Sequence, residues 1–333
     1  DVLIGPGSKE LMFLLQLVYY GDLVIPTPSW VSYAPQAHII GRHVRWVPTA
    51  REDHWMLTPQ ELEAICKKDP QRPRLVILNY PSNPTGRSYT VKDLKALAAV
   101  ARKNRVVLLS DEIYGELHHH GRHVSIARFY PEGTIISSGL SKWCGAGGWR
   151  LGVFVFPPAL RWLLEAMAVV ASETFTSTAA PIQYAAVRAY EGGLEIEEYL
   201  WHSRRILRGI GTTIARRLEG AGVIVPRPQG AFYLFPDFEN FREELGRRGI
   251  RTNEDLCHRL LEETGVALLP GSAFGARSDA LTLRLAYVDF DGARALTASH
   301  DVPREKPLSQ TFLKTYCDAP LSAVERICAW LLR

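Results

Sequence analysis

The 333-residue sequence lacks the features that mark several classes of protein. No apolar run reaches the roughly 18 residues that a membrane-spanning helix needs. No block of lysine and arginine suggests a nucleic-acid or membrane surface, and the N-terminus has no secretory pattern. The five cysteines are scattered and include no CxxC pair, so neither a disulfide framework nor a zinc site is indicated. We therefore expect a cytoplasmic protein with no nucleic-acid, membrane or metal partner.

Methionine is scarce as well, and the chain begins at Asp1 with its methionines only at Met12, Met56 and Met167. Because no initiator residue is present, we expect further residues in front of Asp1. The composition is otherwise that of a globular protein, with 47% hydrophobic residues, 22% charged residues and a net charge of +4. The length is sufficient for one large domain and one smaller domain.

Short apolar segments alternate with helical patterns over the first two-thirds of the chain. Because the strands are continuously apolar, this alternation predicts an α/β domain over residues 1–192, with a doubly wound, mostly parallel sheet that is covered on both faces. The predicted strands are Arg74–Asn79, Val106–Ser110, Thr134–Ser138 and Leu151–Phe156, and the predicted helices include Thr90–Lys103 and Pro158–Ala171.

A long polar helix pattern begins near Gly193 and leads into residues 193–333, which we expect to form a linking helix and a smaller C-terminal α/β domain. Its predicted elements are strands near Val223–Val225, Phe232–Phe235 and Leu281–Tyr287, a helix around Glu254–Thr264 and a terminal helix at Leu321–Arg333. The segment Asp289–Pro320 has several prolines and little periodicity, which predicts a long surface insertion at about residues 289–320.

The strongest local signal is the segment Ser137–Gly152, in which Lys142 follows an apolar strand and precedes a glycine-rich turn, with Arg150 eight positions further on. Such a turn lets the backbone approach a ligand closely, beside a nucleophilic amine and a fixed cation. A flexible surface loop with two ordinary cations is the alternative.

Three other clusters follow the same logic. Asn79–Gly86 and Ser110–Tyr114 each stand at the carboxyl end of a strand, where ligands collect in open α/β sheets. The simpler interpretation of the first cluster is an ordered turn, and that of the second is a cap for the next element. Gly5–Leu11 is a glycine turn that opens an apolar helix, where free N–H groups favour a phosphate.

Together the four clusters resemble the fold-type I pyridoxal 5′-phosphate (PLP) enzymes, specifically the class I/II aminotransferases related to aspartate aminotransferase. The resemblance extends from Gly5 to about Tyr287, with NPTG, DEIY, SK followed by GWRLG, and PGSAFG as landmarks. It implies PLP as the cofactor, an amino acid and a 2-oxo acid as substrates, and a homodimer for the full-length protein.

The resemblance also assigns roles to residues around the cofactor ring. Lys142 matches the lysine that forms a Schiff base with the cofactor aldehyde and acts as general base. Asp111 matches the carboxylate that keeps the pyridine nitrogen protonated, which makes the ring an electron sink. Tyr114 and Asn83 match the donors to the phenolic oxygen of the ring. Trp30 matches the aromatic residue that stacks on the ring face, with a core tryptophan as the alternative.

The remaining roles concern the phosphate and the substrate. The residues that match the phosphate site are Gly7, Ser8, Lys9, Ser141 and Arg150. Arg284 matches the arginine that binds the substrate α-carboxylate as a fork, with Asn83 as a second substrate contact. A surface cation on an edge strand is the alternative for Arg284, although it lies on the opposite face from Leu283 and Leu285.

Two departures from the family pattern stand out. Gly139 occupies the position where many relatives have a phosphate-binding serine, so we expect that hydroxyl contact to be lost or to pass to Ser138. The family also has a long stretch before the glycine turn that is missing here, and without it we expect impaired dimerisation and turnover. His118–His120, with His123, suggests a metal ligand set, but we favour an exposed turn.

The function that the resemblance implies is transfer of an amino group from an L-amino acid to a 2-oxo acid. A C–S β-lyase on the same cofactor is one alternative, because the residues around the cofactor are shared between the two chemistries. A transcription regulator with an aminotransferase-like sensor domain is the other. The choice of amino acid stays open, because no second carboxylate-binding arginine is evident.

Overall fold

The computed structural model describes all 333 residues, which form two compact units. The first comprises residues 1–81, 88–116 and 122–197, and the second comprises residues 82–87, 117–121 and 198–333. The expected domain boundary at residues 192 and 193 stays a prediction. The predicted α/β class with a large, mostly parallel sheet is confirmed.

The first unit contains a seven-stranded sheet with the order β1-β7-β6-β5-β4-β2-β3. β7 runs antiparallel to both of its neighbours, and all the other pairs are parallel. The strands are β1 (Val2–Gly5), β2 (Asp22–Thr27), β3 (Val44–Pro48), β4 (Arg74–Asn79), β5 (Val107–Asp111), β6 (Thr134–Gly139) and β7 (Gly152–Val155). The four strands predicted from the sequence are therefore confirmed to within two residues at each end.

Six helices belong to the first unit: α1 (Ser8–Val18), α2 (Tyr33–Ile39), α3 (Pro59–Lys68), α4 (Val91–Lys103), α5 (Arg161–Thr174) and α6 (Ala180–Glu191). Alternate strand residues enter opposite cores, because successive side chains of a strand point to opposite faces. Leu75 and Ile77 pack with α1 and α5, whereas Val76 and Leu78 pack with α3 and α4. The sheet is thus covered on both faces, as the continuous apolar strands predicted.

The strand register brings the ends of five strands to one edge of the sheet. Asn79 pairs with Asp111, which pairs with Ser137. On β7, Gly152 pairs with both Gly139 and Gly5. The carboxyl ends of β1, β4, β5 and β6 therefore coincide with the amino end of β7, and the chain segments that leave this edge carry the candidate residues.

The second unit contains a small antiparallel sheet with the order β8-β10-β9. Its strands are β8 (Tyr233–Leu234), β9 (Leu269–Pro270) and β10 (Leu283–Ala286). Its helices are α7 (Leu194–Gly220, from Glu198 onward), α8 (Arg242–Arg247), α9 (Asn253–Thr264), α10 (Gly292–His300), α11 (Gln310–Tyr316) and α12 (Asp318–Leu331).

One expectation for this unit was wrong. Val223–Val225 does not form a strand, because only Ile224 pairs, in a single bridge with Asp237. Residues 289–320 contain α10 and α11, whose first turns are capped by the side chains of Asp291 and Ser309, and the expected insertion over these residues stays a prediction. Helical periodicity is hard to detect here because α11 has only seven residues. No helix of the protein combines the length and apolar character needed to cross a membrane.

Candidate active site

Asp111 ends β5 at the common edge of the first unit, and its side chain is buried. The Tyr33 hydroxyl donates a hydrogen bond of 2.5 Å to Asp111 Oδ2, and the Ser137 hydroxyl donates one of 3.3 Å to Oδ1. Burial raises the pKa of Asp111 to about 6, although these donors act in the opposite direction. The carboxylate is therefore costly to keep ionised without a cation beside it.

Tyr33 is a residue that the sequence reasoning missed. It begins α2 and is fully buried, and 78 positions separate it from Asp111 in the chain. No local pattern reveals such a pair, since the two residues meet only through the fold. Its hydroxyl orients the carboxylate and stabilises the negative charge on it.

Trp30 precedes Tyr33 by one turn and is half-buried against the core. Its ring meets that of Tyr33 edge to face, with centroids 5.3 Å apart. The Lys9 ammonium lies 5.1 Å from the Trp30 ring centroid. Trp30, Tyr33 and Asp111 thus form a connected row, with Lys9 beside its outer end.

Four of the five predicted phosphate residues, Gly7, Ser8, Lys9 and Arg150, lie around the start of α1. Gly7 has a φ of 101°, and a Cβ atom there would lie 2.1 Å from Arg150 Nη2. The Arg150 guanidinium donates to the carbonyl oxygens of Pro6 and Gly147, at 3.2 and 2.7 Å. At Gly152, a Cβ would lie 2.1 Å from the Ser8 backbone nitrogen. Glycine is required at both positions for this close approach.

Arg150 itself has a left-handed backbone, with a φ of 54°. Left-handed conformations are uncommon for residues other than glycine, and they cluster at binding sites. The guanidinium lies beside the first turn of an 11-residue helix whose N-terminal N–H groups favour an anion. This arrangement of N–H groups and a guanidinium is chemically suited to a phosphate.

Lys142 and Ser141 follow β6 at the same edge and are both half-buried. The Lys142 ammonium lies 6.0 Å from the centroid of the Tyr114 ring, and Tyr114 is itself buried just after β5. The structure therefore brings the candidate nucleophile close to one of the predicted donors to the cofactor ring.

Gly139 pairs with Gly152 on β7, and its missing side chain has a steric reason. A Cβ at this position would lie 2.7 Å from the Leu151 carbonyl oxygen, so a serine does not fit without movement of the backbone. The Ser138 hydroxyl forms a hydrogen bond with Tyr190.

The predicted substrate residues Asn83 and Arg284 lie together in the second unit. Arg284 Nη1 donates a long hydrogen bond of 3.4 Å to Asn83 Oδ1. The guanidinium carbon lies 4.9 Å from the Tyr233 ring centroid and 5.0 Å from that of Phe274. Such contacts hold the plane of an arginine guanidinium in position. Tyr233 and Phe274 were also missed by the sequence reasoning.

The histidine run forms a turn in which His120 is exposed, as we expected, but His119 is not. His119 is buried, and its Nε2 lies 3.1 Å from the Ala231 carbonyl oxygen. Burial lowers the pKa of His119 to about 4, so the neutral ring donates to that carbonyl at neutral pH. The residue holds two segments of the second unit together.

Comparison with known proteins agrees with this geometry. Residues 1–292 match the family described as aminotransferase class I and II. The chain belongs to this family. Its members are fold-type I PLP enzymes, so the predicted family and enzyme class are confirmed, and the aminotransferase is favoured over the C–S lyase and the sensor domain.

Three relatives of this aminotransferase illustrate the similarity. The aspartate aminotransferase of Geobacillus stearothermophilus is 37% identical over 294 residues, which are 86% of this chain and 71% of that protein. The asparagine–oxo-acid transaminase of Streptococcus mutans is 33% identical over 86% of this chain and 71% of its own length. The solved aspartate aminotransferase of Rhizobium meliloti has a TM-score of 0.81 at 30% identity, over 100% of this chain and 76% of that one.

The residues present fit the cofactor that the family uses. The buried Asp111 carboxylate suits a protonated ring nitrogen. Burial disfavours the ionised carboxylate, and a cation beside it would stabilise that form. The cradle at Gly7 and Arg150 suits a phosphate, and Lys142 supplies an amine for an aldehyde. All of these groups belong to the first unit.

Proposed function

We propose that this aminotransferase binds PLP through the residues described above and transfers an amino group from an L-amino acid to a 2-oxo acid. The observation that carries the proposal is the buried Asp111 carboxylate, which is held by Tyr33 and has a raised pKa. When bound, the cofactor supplies an electron sink for the electron pair of the substrate Cα–H bond.

The first unit holds the cofactor in this proposal. Lys142 Nζ would bind the aldehyde of the cofactor. Asp111 keeps a proton on the ring nitrogen, and Tyr33 fixes the orientation of that carboxylate. Trp30 stacks on the ring face. The phosphate is held by Gly7, Ser8, Lys9, Ser141 and Arg150.

The second unit supplies the contacts to the substrate. Arg284 presents a planar fork of donors that matches the α-carboxylate of an amino acid. Tyr233 and Phe274 keep that fork in position. The family resemblance assigns Asn83, and Tyr114 of the first unit, as donors to the phenolic oxygen of the ring, with Asn83 also as a substrate contact. The amine of Lys142, in the first unit, would act as the general base that removes the proton from Cα.

Aspartate is the amino donor that we propose, with 2-oxoglutarate as the acceptor. The support for aspartate is the function of the relatives, several of which are aspartate aminotransferases. Asparagine is the competing donor, because one relative of similar identity is an asparagine–oxo-acid transaminase.

The test is a panel assay on the purified protein with PLP. Aspartate, asparagine, an aromatic amino acid and a cystathionine-like thioether are each supplied with 2-oxoglutarate. The proposal expects glutamate to form fastest with aspartate, and it expects this activity to vanish in Lys142→Ala. Pyruvate and ammonia from the thioether without any glutamate would contradict it.

We also propose that the enzyme is a homodimer, as the family resemblance implies. The support is an apolar surface on α6, where Tyr184, Val187 and Tyr190 are 79%, 57% and 47% exposed. A second copy of the chain is the occupant that we propose for it. Sedimentation of the Tyr184→Asp, Val187→Asp double variant tests this, since the proposal expects a monomer and an unchanged dimer would contradict it.

A further inference from the structure

A cluster of three metal-ligating side chains lies in the second unit, away from every residue assigned a role above. Glu198 and His202 are one helical turn apart on α7, and His300 is the last residue of α10. The candidate ligand atoms of all three lie within 4.8 Å of one another. Residues at i and i+4 share one helix face, so the first two are aligned by the helix itself.

The surroundings of His202 hold its ring in one orientation. The ring is 2% exposed, and its Nδ1 lies 2.8 Å from the buried Ser299 hydroxyl. This contact leaves Nε2 as the ring nitrogen for a ligand and fixes the orientation of the imidazole, as outer-shell partners do in metal sites.

His300 and Glu198 provide the adjustable part of the cluster. Their side chains are 50% and 45% exposed, and His300 Nδ1 lies 4.0 Å from Glu198 Oε1. The His300 ring stacks on that of His202 with centroids 3.9 Å apart. Tetrahedral ligands at about 2.1 Å from a metal are separated by about 3.4 Å, so the two exposed side chains have to rotate to close the site. His300 then leaves its stack on His202, because a metal lies in the plane of each imidazole that binds it.

Two arginine side chains near the cluster disfavour a bound cation by charge repulsion. The contacts that each arginine makes determine the strength of this effect. Arg205 is committed elsewhere, because its guanidinium donates to the carbonyl oxygens of Ser299, Val302, Pro303 and Lys306. Arg304 is the direct competitor, since its Nη2 lies 2.7 Å from Glu198 Oε1. Its side chain is 59% exposed, so it can move into solvent or stay on Oε1 while Oε2 binds a metal.

We propose that Glu198, His202 and His300 form a binding site for a divalent transition metal of the zinc class, with water as the fourth ligand. Two imidazoles and one carboxylate are a ligand set that Zn²⁺ accepts, whereas Ca²⁺ and Mg²⁺ prefer oxygen ligands. The site joins α7 to the end of α10, so its role is structural. It is independent of the proposed cofactor site and of the choice of substrate.

The test is calorimetric titration of ZnCl₂ into the PLP-loaded protein after treatment with a chelator and removal of that chelator. We expect saturable binding of one Zn²⁺ per chain and a rise of several degrees in the unfolding temperature. Glu198→Gln and His300→Ala each weaken binding at least about tenfold, and Ser299→Ala weakens it less. These exposed ligands are chosen because removal of the buried His202 could unfold the protein.

Arg304→Gln gives the sharpest comparison, because it removes a competitor rather than a ligand. The proposal expects this variant to bind Zn²⁺ more tightly than the wild type, whereas His43→Ala, at an exposed histidine of the first unit, leaves binding unchanged. Absence of saturable binding overturns the proposal. Binding that survives both Glu198→Gln and His300→Ala overturns it as well.

Discussion

The Tyr33 hydroxyl donates a hydrogen bond of 2.5 Å to Asp111, and both side chains are almost completely buried. This pair links the first turn of α2 to the carboxyl end of β5. A buried carboxylate needs donors or a cation to stay ionised. In this aminotransferase the hydroxyl supplies the donor, and we propose that the cofactor ring supplies the cation.

Tyr33→Phe removes that donor without changing the shape of the ring. We expect the pKa of Asp111 to rise further, the protein to lose about 1–3 kcal/mol of stability and the affinity for PLP to fall. Urea unfolding and PLP titration measure these effects. Tyr20→Phe, at a residue that is 72% exposed, serves as the control and is expected to resemble the wild type. Equal stability of the two variants would argue against the role given to Tyr33.

The raised pKa of Asp111 predicts a specific pH dependence for the cofactor-free protein. The folded state has a pKa of about 6 at this group, compared with 3.8 for an ordinary aspartate. Between these values Asp111 is more protonated in the folded state than in the unfolded state. Its contribution to the free energy of unfolding therefore falls as the pH rises from about 4 to about 6 and is then constant. The amplitude for this one group is about 3 kcal/mol.

Asp111→Asn is the control that separates this effect from the other carboxylates. We expect the difference in unfolding free energy between Asp111→Asn and wild type to change by that amount across the same pH interval, without cofactor. A difference that is constant with pH would show that Asp111 titrates normally.

Gly7→Ala tests the phosphate cradle. The added Cβ meets the Arg150 guanidinium, so we expect Arg150 to move and the affinity for PLP to fall by about tenfold or more, since a charge-assisted hydrogen bond contributes about 1.5–3 kcal/mol. The matched control is Gly193→Ala, because Gly193 has a φ of 110° but its nearest neighbouring atom is 3.9 Å from a Cβ. If both variants bind PLP alike, backbone strain rather than the contact with Arg150 explains any loss.

Arg284→Lys tests the substrate contact. The charge is retained but the planar fork and its contacts with Tyr233 and Phe274 are lost, so we expect KM for the amino acid to rise at least about tenfold. The absorbance of the bound cofactor should stay unchanged. Arg227→Lys, at an exposed arginine paired with Glu219, is the control. An unchanged KM in Arg284→Lys would remove this residue from the substrate site.

The sequence predicted the parts of the molecule that are encoded locally. Apolar runs such as Arg74–Asn79 predict strands because both faces of the sheet are covered, and Thr90 marks the start of α4 by capping it. The candidate residues at strand ends follow from the same pattern. The short strand β9 and helix α11 have too few residues to show a period, so they were missed.

Contacts across long separations could not be predicted from the sequence. Tyr33 lies 78 positions from Asp111, and Tyr233 and Phe274 meet Arg284 from two different segments. The absence of a serine at Gly139 is visible in the sequence, but its cause is the Leu151 carbonyl oxygen on the adjoining segment. Contacts of this kind are evident only when the three-dimensional structure is known.

Lys142 is the residue that we propose to bind the cofactor covalently. The most direct measurement is to reduce the PLP-loaded protein with borohydride, digest it and locate the cofactor by the mass of the modified peptide. The account predicts the modification on Lys142 alone and none at that mass in Lys142→Ala. Modification of another lysine, such as Lys9, or covalent attachment of the cofactor to the Lys142→Ala protein, would contradict it.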